Sequence, residues 1–380
     1  MRVTALLLGV FILLNSCKKG SEEDVSENLT SSPQLKIQTI VTGYEIIWGM
    51  DFLPTGDLIF TEKRGRVYKK SGETITEITG FPEVRSLGQG GLLDIKAHPN
   101  YSTNGWIYAC FAASSPSGGG QLRLIRFNII DNQVRNIENI FSSGGSNTWN
   151  GHYGSRILFD KDNYLYLSAG EGGSRSYGGP GTDNNNGQNL TSNLGKIHRF
   201  REDGSIPSDN PVFPGNPGPT TLFSYGHRNP QGLAMHPERE QIWQTEHGPS
   251  GGDEINIITK GANYGWPAYS LGKNYDQTTI SSGHNAPGIT EPLFTWSPSI
   301  GVSGMIFLTD DKWKSWKGNI LVSGLASEKL HRLVINGTTI TEGKVLLENS
   351  GRVRDVIQAP DGSIYVSVEE PGRIIQITPE

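Results

Sequence analysis

Cysteine is scarce in this chain, which has two cysteines in 380 residues. A disulfide-stapled fold is therefore excluded, and packing must hold the protein together. Cys110 lies in the apolar run at 106–111, without the Cys/His spacing typical of zinc sites or thiol nucleophiles. We interpret it as a small buried hydrophobic residue.

Long apolar runs are missing as well. The stretch at 3–14 follows Met1 and Arg2 and is too short to span a bilayer, so it predicts a secretory signal. It ends at Leu14-Asn15-Ser16-Cys17, which resembles a bacterial lipobox. We therefore predict a lipoprotein signal peptide over 1–17, with Cys17 acylated; an ordinary cleaved signal peptide is the alternative.

The next segment, 18–33, is rich in Ser, Glu, Lys and Asn, and this composition predicts a disordered tether. The remainder, 34–380, is interpreted as one domain. We expect an exported protein attached to the cell envelope by lipid alone, on the periplasmic or cell-surface side of a bacterial membrane.

An excess of positive charge is absent too, since 33 Lys and Arg face 38 Asp and Glu, for a net charge of −5. Charges of both signs are interspersed, which argues against nucleic acid as a partner. Long amphipathic helical patterns are also missing, so a βαβ architecture is not expected.

What the chain does have is 49 Gly, 21 Pro and a repeated strand-turn-strand pattern. About six copies recur, every 40 to 75 residues or so, near 50–62, 93–111, 155–169, 232–246, 304–324 and 354–366. Such a repeat predicts an all-β fold, a six-bladed β-propeller with four-stranded antiparallel blades and an axial active-site funnel. The stretch 35–41 is expected to close the ring by adding a strand to the last blade.

Polar residues held between Gly and Pro are concentrated at 225–267, as expected of rigid functional loops. Arg228, Asn229 and Gln231 can grip a planar, oxygen-rich anion through forked donors and amide groups. The Gly-Pro at 248–249, followed by two carboxylates, suggests Ca²⁺ held by backbone carbonyls and nearby acids. Polar groups also precede the other repeats, which predicts a ring of them around the funnel.

Several ordered motifs resemble the soluble pyrroloquinoline-quinone (PQQ)-dependent sugar dehydrogenases, the glucose/sorbosone dehydrogenase family, and most closely its aldose sugar dehydrogenase branch. The likeness covers roughly 42–378. It is carried by the segments 47–50, 88–92, 151–156, 189–197, 224–232, 248–249, 263–267 and 296–300. The resemblance implies a six-bladed propeller, in agreement with the repeat count.

The resemblance also implies catalytic roles. His152, in Gly-His-Tyr-Gly-Ser-Arg, matches the general base that takes the proton from the sugar's anomeric hydroxyl while hydride passes from C1 to C5 of PQQ. A neutral histidine suits this work near pH 7. Glu171 falls where the family usually has an Asp that orients the histidine, and its extra methylene could lengthen or redirect that hydrogen bond.

Cofactor and metal positions follow from the same likeness. Those matched to cofactor binding are Gln89, Arg228, Asn229, Gln231, Arg352 and Arg354. Those matched to Ca²⁺ binding are Gly248 and Pro249, by their carbonyls at the cofactor, and Glu254 and Tyr264, at a second, structural ion. Because Arg352 and Arg354 alternate on an extended segment, both can face the funnel only if the backbone there is irregular.

The chain departs from the family pattern at Ala326, where glucose-oxidising members carry a cofactor-contacting Lys. Either Lys329 substitutes from a neighbouring position or the cation is missing. The Gly-rich insertion at 174–187, with the polar run 183–186, is either part of the funnel rim or a solvated loop.

These observations predict a PQQ- and Ca²⁺-dependent aldose dehydrogenase that oxidises a sugar at C1 to the lactone and passes electrons to an external acceptor, a quinone or cytochrome. The alternatives are a calcium-dependent propeller lactonase or esterase and a non-catalytic carbohydrate- or protein-binding propeller. The preferred aldose, the acceptor and a possible homodimer stay open.

Overall fold

The computed structural model describes residues 32–173, 177–179, 181–337 and 339–380. The signal peptide, Cys17 and nearly all of the tether lie outside these residues. Within them, 24 strands form six four-stranded antiparallel sheets, with one short helix, α1 (Tyr101–Asn104), and one 3-10 helix (Asp311–Trp316). The predicted six-bladed, all-β architecture is confirmed.

The first three blades follow one another along the chain. Blade 1 contains β2 (Ile47–Phe52), β3 (Leu58–Glu62), β4 (Arg66–Ser71) and β5 (Thr74–Ile78). Blade 2 contains β6 (Leu92–Ala97), β7 (Ile107–Ser114), β8 (Gly120–Ile130) and β9 (Gln133–Ser142). Blade 3 contains β10 (Ile157–Phe159), β11 (Leu165–Ala169), β12 (Lys196–Phe200) and β13 (Leu222–Tyr225).

The other three blades complete the ring. Blade 4 contains β14 (Pro230–Met235), β15 (Ile242–Glu246), β16 (Asp253–Ile258) and β17 (Phe294–Trp296). Blade 5 contains β18 (Val302–Phe307), β19 (Ile320–Gly324), β20 (Lys329–Asn336) and β21 (Thr339–Glu342). Blade 6 contains β22 (Arg352–Gln358), β23 (Ile364–Glu369), β24 (Gly372–Pro379) and β1 (Leu35–Tyr44).

Blade 6 joins the two ends of the propeller. Its outermost strand, β1, pairs antiparallel with β24, so that Leu35 faces Pro379 and Tyr44 faces Gly372. The predicted closing strand is therefore confirmed. Because one blade takes strands from both ends of the domain, the ring is closed by a ladder of backbone hydrogen bonds, which two register shifts interrupt.

The repeated sequence pattern corresponds to the first two strands of each blade. In blade 1 the hairpin pairs Phe52 with Leu58, and Gly56 turns the chain at a φ of 85°, donating its N–H to the Leu53 carbonyl. The middle strands are buried on both faces; all five residues of β11, for example, are buried. Apolar clusters between neighbouring blades form the core, in which Cys110 is fully buried.

The first strand of each blade contacts the first strands of its neighbours, so these six strands surround the axis. A buried ion cluster joins them. One guanidinium nitrogen of Arg156 lies 2.9 Å from both Asp94 Oδ1 and Asp355 Oδ1, and the Arg156 Nε donates to the Gln231 carbonyl. The Met50 N–H donates to Asp355 at 3.1 Å. Residues of five blades thereby meet beneath the funnel.

Strand pairing is irregular near the start of five of these axial strands. Register shifts fall between Ile47 and Met50 in β2, between Leu92 and Ile95 in β6, and at corresponding places in β14, β18 and β22. Such irregularities redirect side chains at the mouth of a propeller or barrel. Among the described residues, no helix is long and apolar enough to cross a lipid bilayer.

Candidate active site

A cavity of about 340 Å³ opens at the end of the axis where the irregular strand starts converge. All six blades, or the loops that precede them, supply its walls, although blade 5 contributes only Leu325. Predicted site residues on these walls are Gln89, His152, Arg228, Asn229, Gln231, Arg352 and Arg354. The prediction that polar groups from successive blades form a ring is therefore met by the geometry.

His152 and Glu171 form a buried hydrogen-bonded pair. His152 Nδ1 lies 2.6 Å from Glu171 Oε1, and the two residues are 3% and 0% exposed. The longer Glu side chain thus still reaches the histidine. Burial and the neighbouring Arg228 lower the pKa of His152, although Glu171 acts in the opposite direction. The ring is therefore neutral near pH 7 and able to accept a proton.

The backbone of His152 is held in an unusual conformation, with a φ of 42°. Its N–H donates to Gln89 Oε1 at 2.8 Å, which gives Gln89 a structural contact with the histidine. A Cβ at Gly170 would lie 2.0 Å from the His152 carbonyl oxygen, so glycine is needed for this close approach. Strained backbone of this kind is typical of functional sites.

Glu171 is in turn held by the Gly-rich insertion. Asn184 donates from Nδ2 to the Glu171 carboxylate, and Asn186 donates to the Glu171 carbonyl at 2.9 Å. The Glu171 N–H donates to the Arg228 carbonyl at 2.8 Å. This part of the insertion therefore orients the partner of the histidine, a role that its composition did not indicate.

Arg228 is 2% exposed and lies between two pockets. Its guanidinium donates to the Gly248 carbonyl at 2.8 Å and to the Tyr275 hydroxyl at 3.3 Å, and stacks 5.1 Å from the Trp266 ring. Its Nε is buried without a hydrogen-bond partner among the described residues. A buried donor of this kind calls for an acceptor from a ligand or water.

Asn229 and Gln231 form a short amide chain from the histidine loop to blade 6. Asn229 Oδ1 accepts from the Gly154 N–H and from Gln231 Nε2, both at 3.1 Å. Gln231 Oε1 then accepts from Arg354 at 3.0 Å. These contacts fix the amide orientations at the cavity wall.

Arg352 and Arg354 both reach the cavity because the pairing of β22 shifts between Val353 and Asp355. Such a backbone irregularity is expected from the sequence if both arginines are to face the funnel. The Nε atoms of the two arginines donate to opposite oxygens of Glu369, at 2.9 and 2.7 Å. Although burial alone would raise the pKa of Glu369, the two arginines hold it below its ordinary value.

Position 326 contributes no cation. Ala326 is exposed and its N–H donates to the Ile300 carbonyl, while its neighbour Leu325 lines the cavity. Lys329 begins β20, pairs with Gly324 and is not on the cavity wall. The alternative that Lys329 replaces the family's Lys is therefore not met by the geometry.

A second, smaller pocket lies behind Arg228 and contains all four predicted metal positions, Gly248, Pro249, Glu254 and Tyr264. Glu254 pairs across the sheet with Glu246, so two buried carboxylates are neighbours. Glu246 has His227 Nδ1 at 2.8 Å and the Arg228 N–H as donors. We call the pocket lined by these residues the acid pocket.

Glu254 is less well compensated than Glu246. It accepts from Asn256 at 3.2 Å and lies 3.3 Å from His284 Nε2. Burial and the neighbouring Glu246 raise its pKa well above the ordinary value. Two buried acids and a turn that brings main-chain carbonyls close together are oxygen donors suited to a hard divalent cation. The donor set therefore fits Ca²⁺.

The funnel cavity has the opposite balance. Four cationic side chains, Lys63, Arg228, Arg352 and Arg354, line it with two carboxylates, Glu369 and Glu370. His247, also on the wall, is kept neutral because burial and the arginines lower its pKa well below the ordinary value. This surplus of donors and positive charge fits a planar polycarboxylate such as PQQ.

Comparison with known proteins decides the family. A family model described as Glucose / Sorbosone dehydrogenase matches residues 44–376. This chain belongs to the glucose/sorbosone dehydrogenase family. The aldose sugar dehydrogenase YliI of Escherichia coli K12 is 33% identical over 341 residues, covering 87% of this chain and 90% of that protein.

Solved structures of the family agree with the fold. The soluble aldose sugar dehydrogenase of Escherichia coli in the apo form matches with a TM-score of 0.85 and 31% identity, covering 91% of this chain and 100% of that chain. The PQQ-bound form of the aldose sugar dehydrogenase of Streptomyces coelicolor matches with a TM-score of 0.74 and 27% identity, covering 92% and 100%. The family predicted from the motifs is thus confirmed.

Three residues of this family member's cavity had no sequence signal that singled them out. Lys63 follows β3, Tyr275 lies in a long loop of blade 4 and Glu369 ends β23, and each lies outside the motifs that carry the family likeness. Glu369 could have been found only by asking what neutralises Arg352 and Arg354. Lys63 and Tyr275 are recognised by their position alone.

Proposed function

We propose that this protein is a PQQ- and Ca²⁺-dependent dehydrogenase that oxidises an aldose at C1 to the lactone and passes the electrons to an external acceptor. The observation that carries the proposal is the buried His152–Glu171 pair, whose histidine lies on the wall of a cation-lined funnel. Family membership and a PQQ-bound structural neighbour support the same activity.

The residues that would hold the quinone are those of the cationic wall. Arg228, Arg352 and Arg354 offer forked donors to carboxylates, and Asn229 and Gln231 are fixed beside them. When bound, PQQ supplies the acceptor for the hydride that leaves the sugar's C1, and Ca²⁺ supplies positive charge near it. The main-chain carbonyls of Gly248 and Pro249 are the proposed ligands of the Ca²⁺ at the cofactor. The Glu254 carboxylate and the Tyr264 carbonyl are the proposed ligands of the second, structural ion.

His152 performs the proton chemistry. Its Nδ1 faces Glu171, so Nε2 is the atom left to accept the proton from the anomeric hydroxyl. Loss of that proton increases the electron density on the oxygen and helps hydride leave the adjacent carbon. Glu171 fixes the ring and stabilises the imidazolium that forms, while Asn184 and Asn186 hold Glu171.

Reconstitution tests the proposal. The full-length protein, stripped of metal and quinone, is mixed with Ca²⁺ and PQQ, and reduction of an artificial dye is followed across a panel of aldoses. We expect activity that requires both additions. Hydrolysis of lactones or esters without quinone would instead establish the lactonase alternative, and quinone binding with no turnover on any sugar would favour a binding propeller.

We also propose that residues 1–17 are a lipoprotein signal and that Cys17 carries the lipid that attaches the propeller to the cell envelope. The support is the sequence pattern at 14–17. Metabolic labelling with a radioactive fatty acid should mark the native protein, and Cys17→Ser should abolish the label. Equal labelling of both would contradict the proposal.

A further inference from the structure

Lys63 is a cation of the funnel wall to which neither the family likeness nor the sequence assigns a role. It follows β3 directly, in the turn that leads to β4. Its N–H donates to the Ile46 carbonyl, and its carbonyl accepts from the Leu92 N–H, both at 2.9 Å. Both backbone groups are thus tied to the starts of two axial strands, which fixes where the side chain leaves the backbone.

Space for that side chain is provided by Gly91. A Cβ at Gly91 would lie 2.3 Å from the Lys63 carbonyl oxygen and 2.5 Å from its Cγ. Any larger residue at position 91 would therefore displace the backbone or the side chain of Lys63. The side chain is directed into the cavity, whose wall it forms together with Gln89, His152 and Arg354.

The ammonium group is incompletely satisfied by the protein. It has three donor hydrogens, and among the described residues its Nζ donates to one oxygen, the Gly88 carbonyl at 2.8 Å. Partial burial and the nearby Arg354 lower its pKa, while Glu369 and Glu45 act in the opposite direction. The positive charges of Lys63 and Arg354 therefore repel each other on the same cavity wall, and a bound anion would reduce that repulsion.

Position 326 supplies the complementary observation. The resemblance expects a cofactor-contacting cation there, but Ala326 has none, and Lys329 lies off the cavity wall. Lys63 is the lysine that the structure places on the wall. Position 326 in blade 5 thus provides no cation, whereas blade 1 presents Lys63.

We propose that Lys63 binds a carboxylate of the quinone cofactor and so supplies, from blade 1, the positive charge that position 326 does not provide. The inference rests on the proposed function, because it concerns how the same site holds PQQ. It makes Lys63 a cofactor-binding residue and accounts for the close packing of Gly91 against it.

Equilibrium binding of PQQ tests the assignment without relying on turnover. PQQ is titrated into the Ca²⁺-loaded full-length protein, and quenching of tryptophan fluorescence gives the Kd. Lys63→Met removes the charge and keeps much of the side-chain volume. Lys63→Arg keeps the charge. Lys69→Met is the matched control, since Lys69 is a half-buried lysine of β4 in the same blade and is not on the cavity wall.

We expect Lys63→Met to weaken PQQ binding at least about tenfold, as for loss of one charge-assisted hydrogen bond. Lys69→Met should bind as the unchanged protein does, and Lys63→Arg should stay within about threefold of it. Equal Kd values for Lys63→Met and Lys69→Met, or an equal loss in Lys63→Arg and Lys63→Met, would overturn the assignment alone. Failure of the unchanged protein to bind PQQ would overturn the proposed function as well.

Discussion

The funnel cavity and the acid pocket share Arg228 in their walls but differ in the other charged side chains that line them. The cavity is lined by lysine and arginine, whereas the acid pocket contains the neighbouring carboxylates of Glu246 and Glu254. Neither charge is neutralised fully within its own pocket, since Arg228 Nε has no hydrogen-bond partner in the part of the chain that the structure describes and the pKa of Glu254 is raised. The contrast teaches that the two pockets are suited to ligands of opposite sign.

Arg228 connects the two pockets. Its guanidinium contacts the Gly248 carbonyl, a proposed cation ligand, and its backbone N–H donates to Glu246 of the acid pocket. A ligand that draws the guanidinium toward the cavity would free the carbonyl for a metal ion. Anion and cation binding are therefore expected to assist each other, and this linkage must act in both directions.

The largest expected effect is on kcat and comes from His152, which is neither one of the cations of the funnel cavity nor one of the carboxylates of the acid pocket. His152→Ala removes the proposed base, so kcat should fall by about 10²- to 10⁴-fold, as is typical for loss of general base catalysis. Because the neutral ring contributes no charge, PQQ and Ca²⁺ affinities should stay nearly unchanged. Steady-state kinetics and binding titrations on one preparation measure both; a fully active variant would refute the role of His152.

Arg228→Met tests most directly whether the cationic wall of the funnel cavity binds PQQ. Removal of a buried, forked cation is expected to weaken PQQ binding by about tenfold or more, because several charge-assisted contacts are lost. Arg228→Lys keeps the charge without the fork and should be intermediate. Fluorescence titration gives the values. Unchanged affinity in Arg228→Met would show that the cationic wall does not hold the quinone.

On the acid side, Glu254→Gln tests the cation. At a free Ca²⁺ concentration of about 100 times the Kd, binding to the folded protein should raise the Tm by about 5 °C. The Glu254→Gln variant should lose most of that rise. Glu240→Gln is the control, because Glu240 is a strongly exposed acid outside the acid pocket. Calorimetry with and without Ca²⁺ decides. An equal rise in all three proteins would contradict the assignment of Glu254.

The smallest effect concerns pH. Burial and Arg228 lower the pKa of His152 below 6.5, the ordinary pKa of histidine. The base therefore stays largely neutral as the pH falls to 6.5 and gains a proton only at lower pH. The kcat/KM should therefore change less than about twofold between pH 8 and 6.5 and decline at lower pH. Glu171→Gln removes a group that raises the pKa, so the decline should begin at still lower pH. A midpoint above pH 7 would contradict this account.

The sequence predicted the fold because each blade repeats one hairpin pattern, and hairpins are specified by local alternation and turns. Contacts between blades, such as those of residues 154–156 and 354–355, cannot be predicted from local sequence patterns. The buried Arg156 cluster and the register shift after Val353 depend on contacts between blades. Lys63 was not predicted for the same reason, since its place on the cavity wall depends on the turn after β3 and on the space at Gly91.

Candidate residues within motifs were easier to find. Arg228 and Gln231 were predicted from their Gly- and Pro-bounded loop and His152 from the resemblance to the family, and the structure brings all three to one cavity. The partner of His152 was less certain because Glu171 is longer than the expected Asp. The structure shows that Asn184 holds the longer side chain by donating to its carboxylate, while Asn186 donates to the Glu171 main-chain carbonyl.

The central claim is that the cation-lined funnel and the acid pocket bind PQQ and Ca²⁺ as a coupled pair. Calorimetric titration of PQQ into the full-length protein, with and without saturating Ca²⁺, tests it most directly. The account predicts one quinone per chain, bound at least about tenfold more tightly when Ca²⁺ is present. Equal affinity in both titrations would contradict the coupling, and no binding in either would contradict the assignment of the funnel itself.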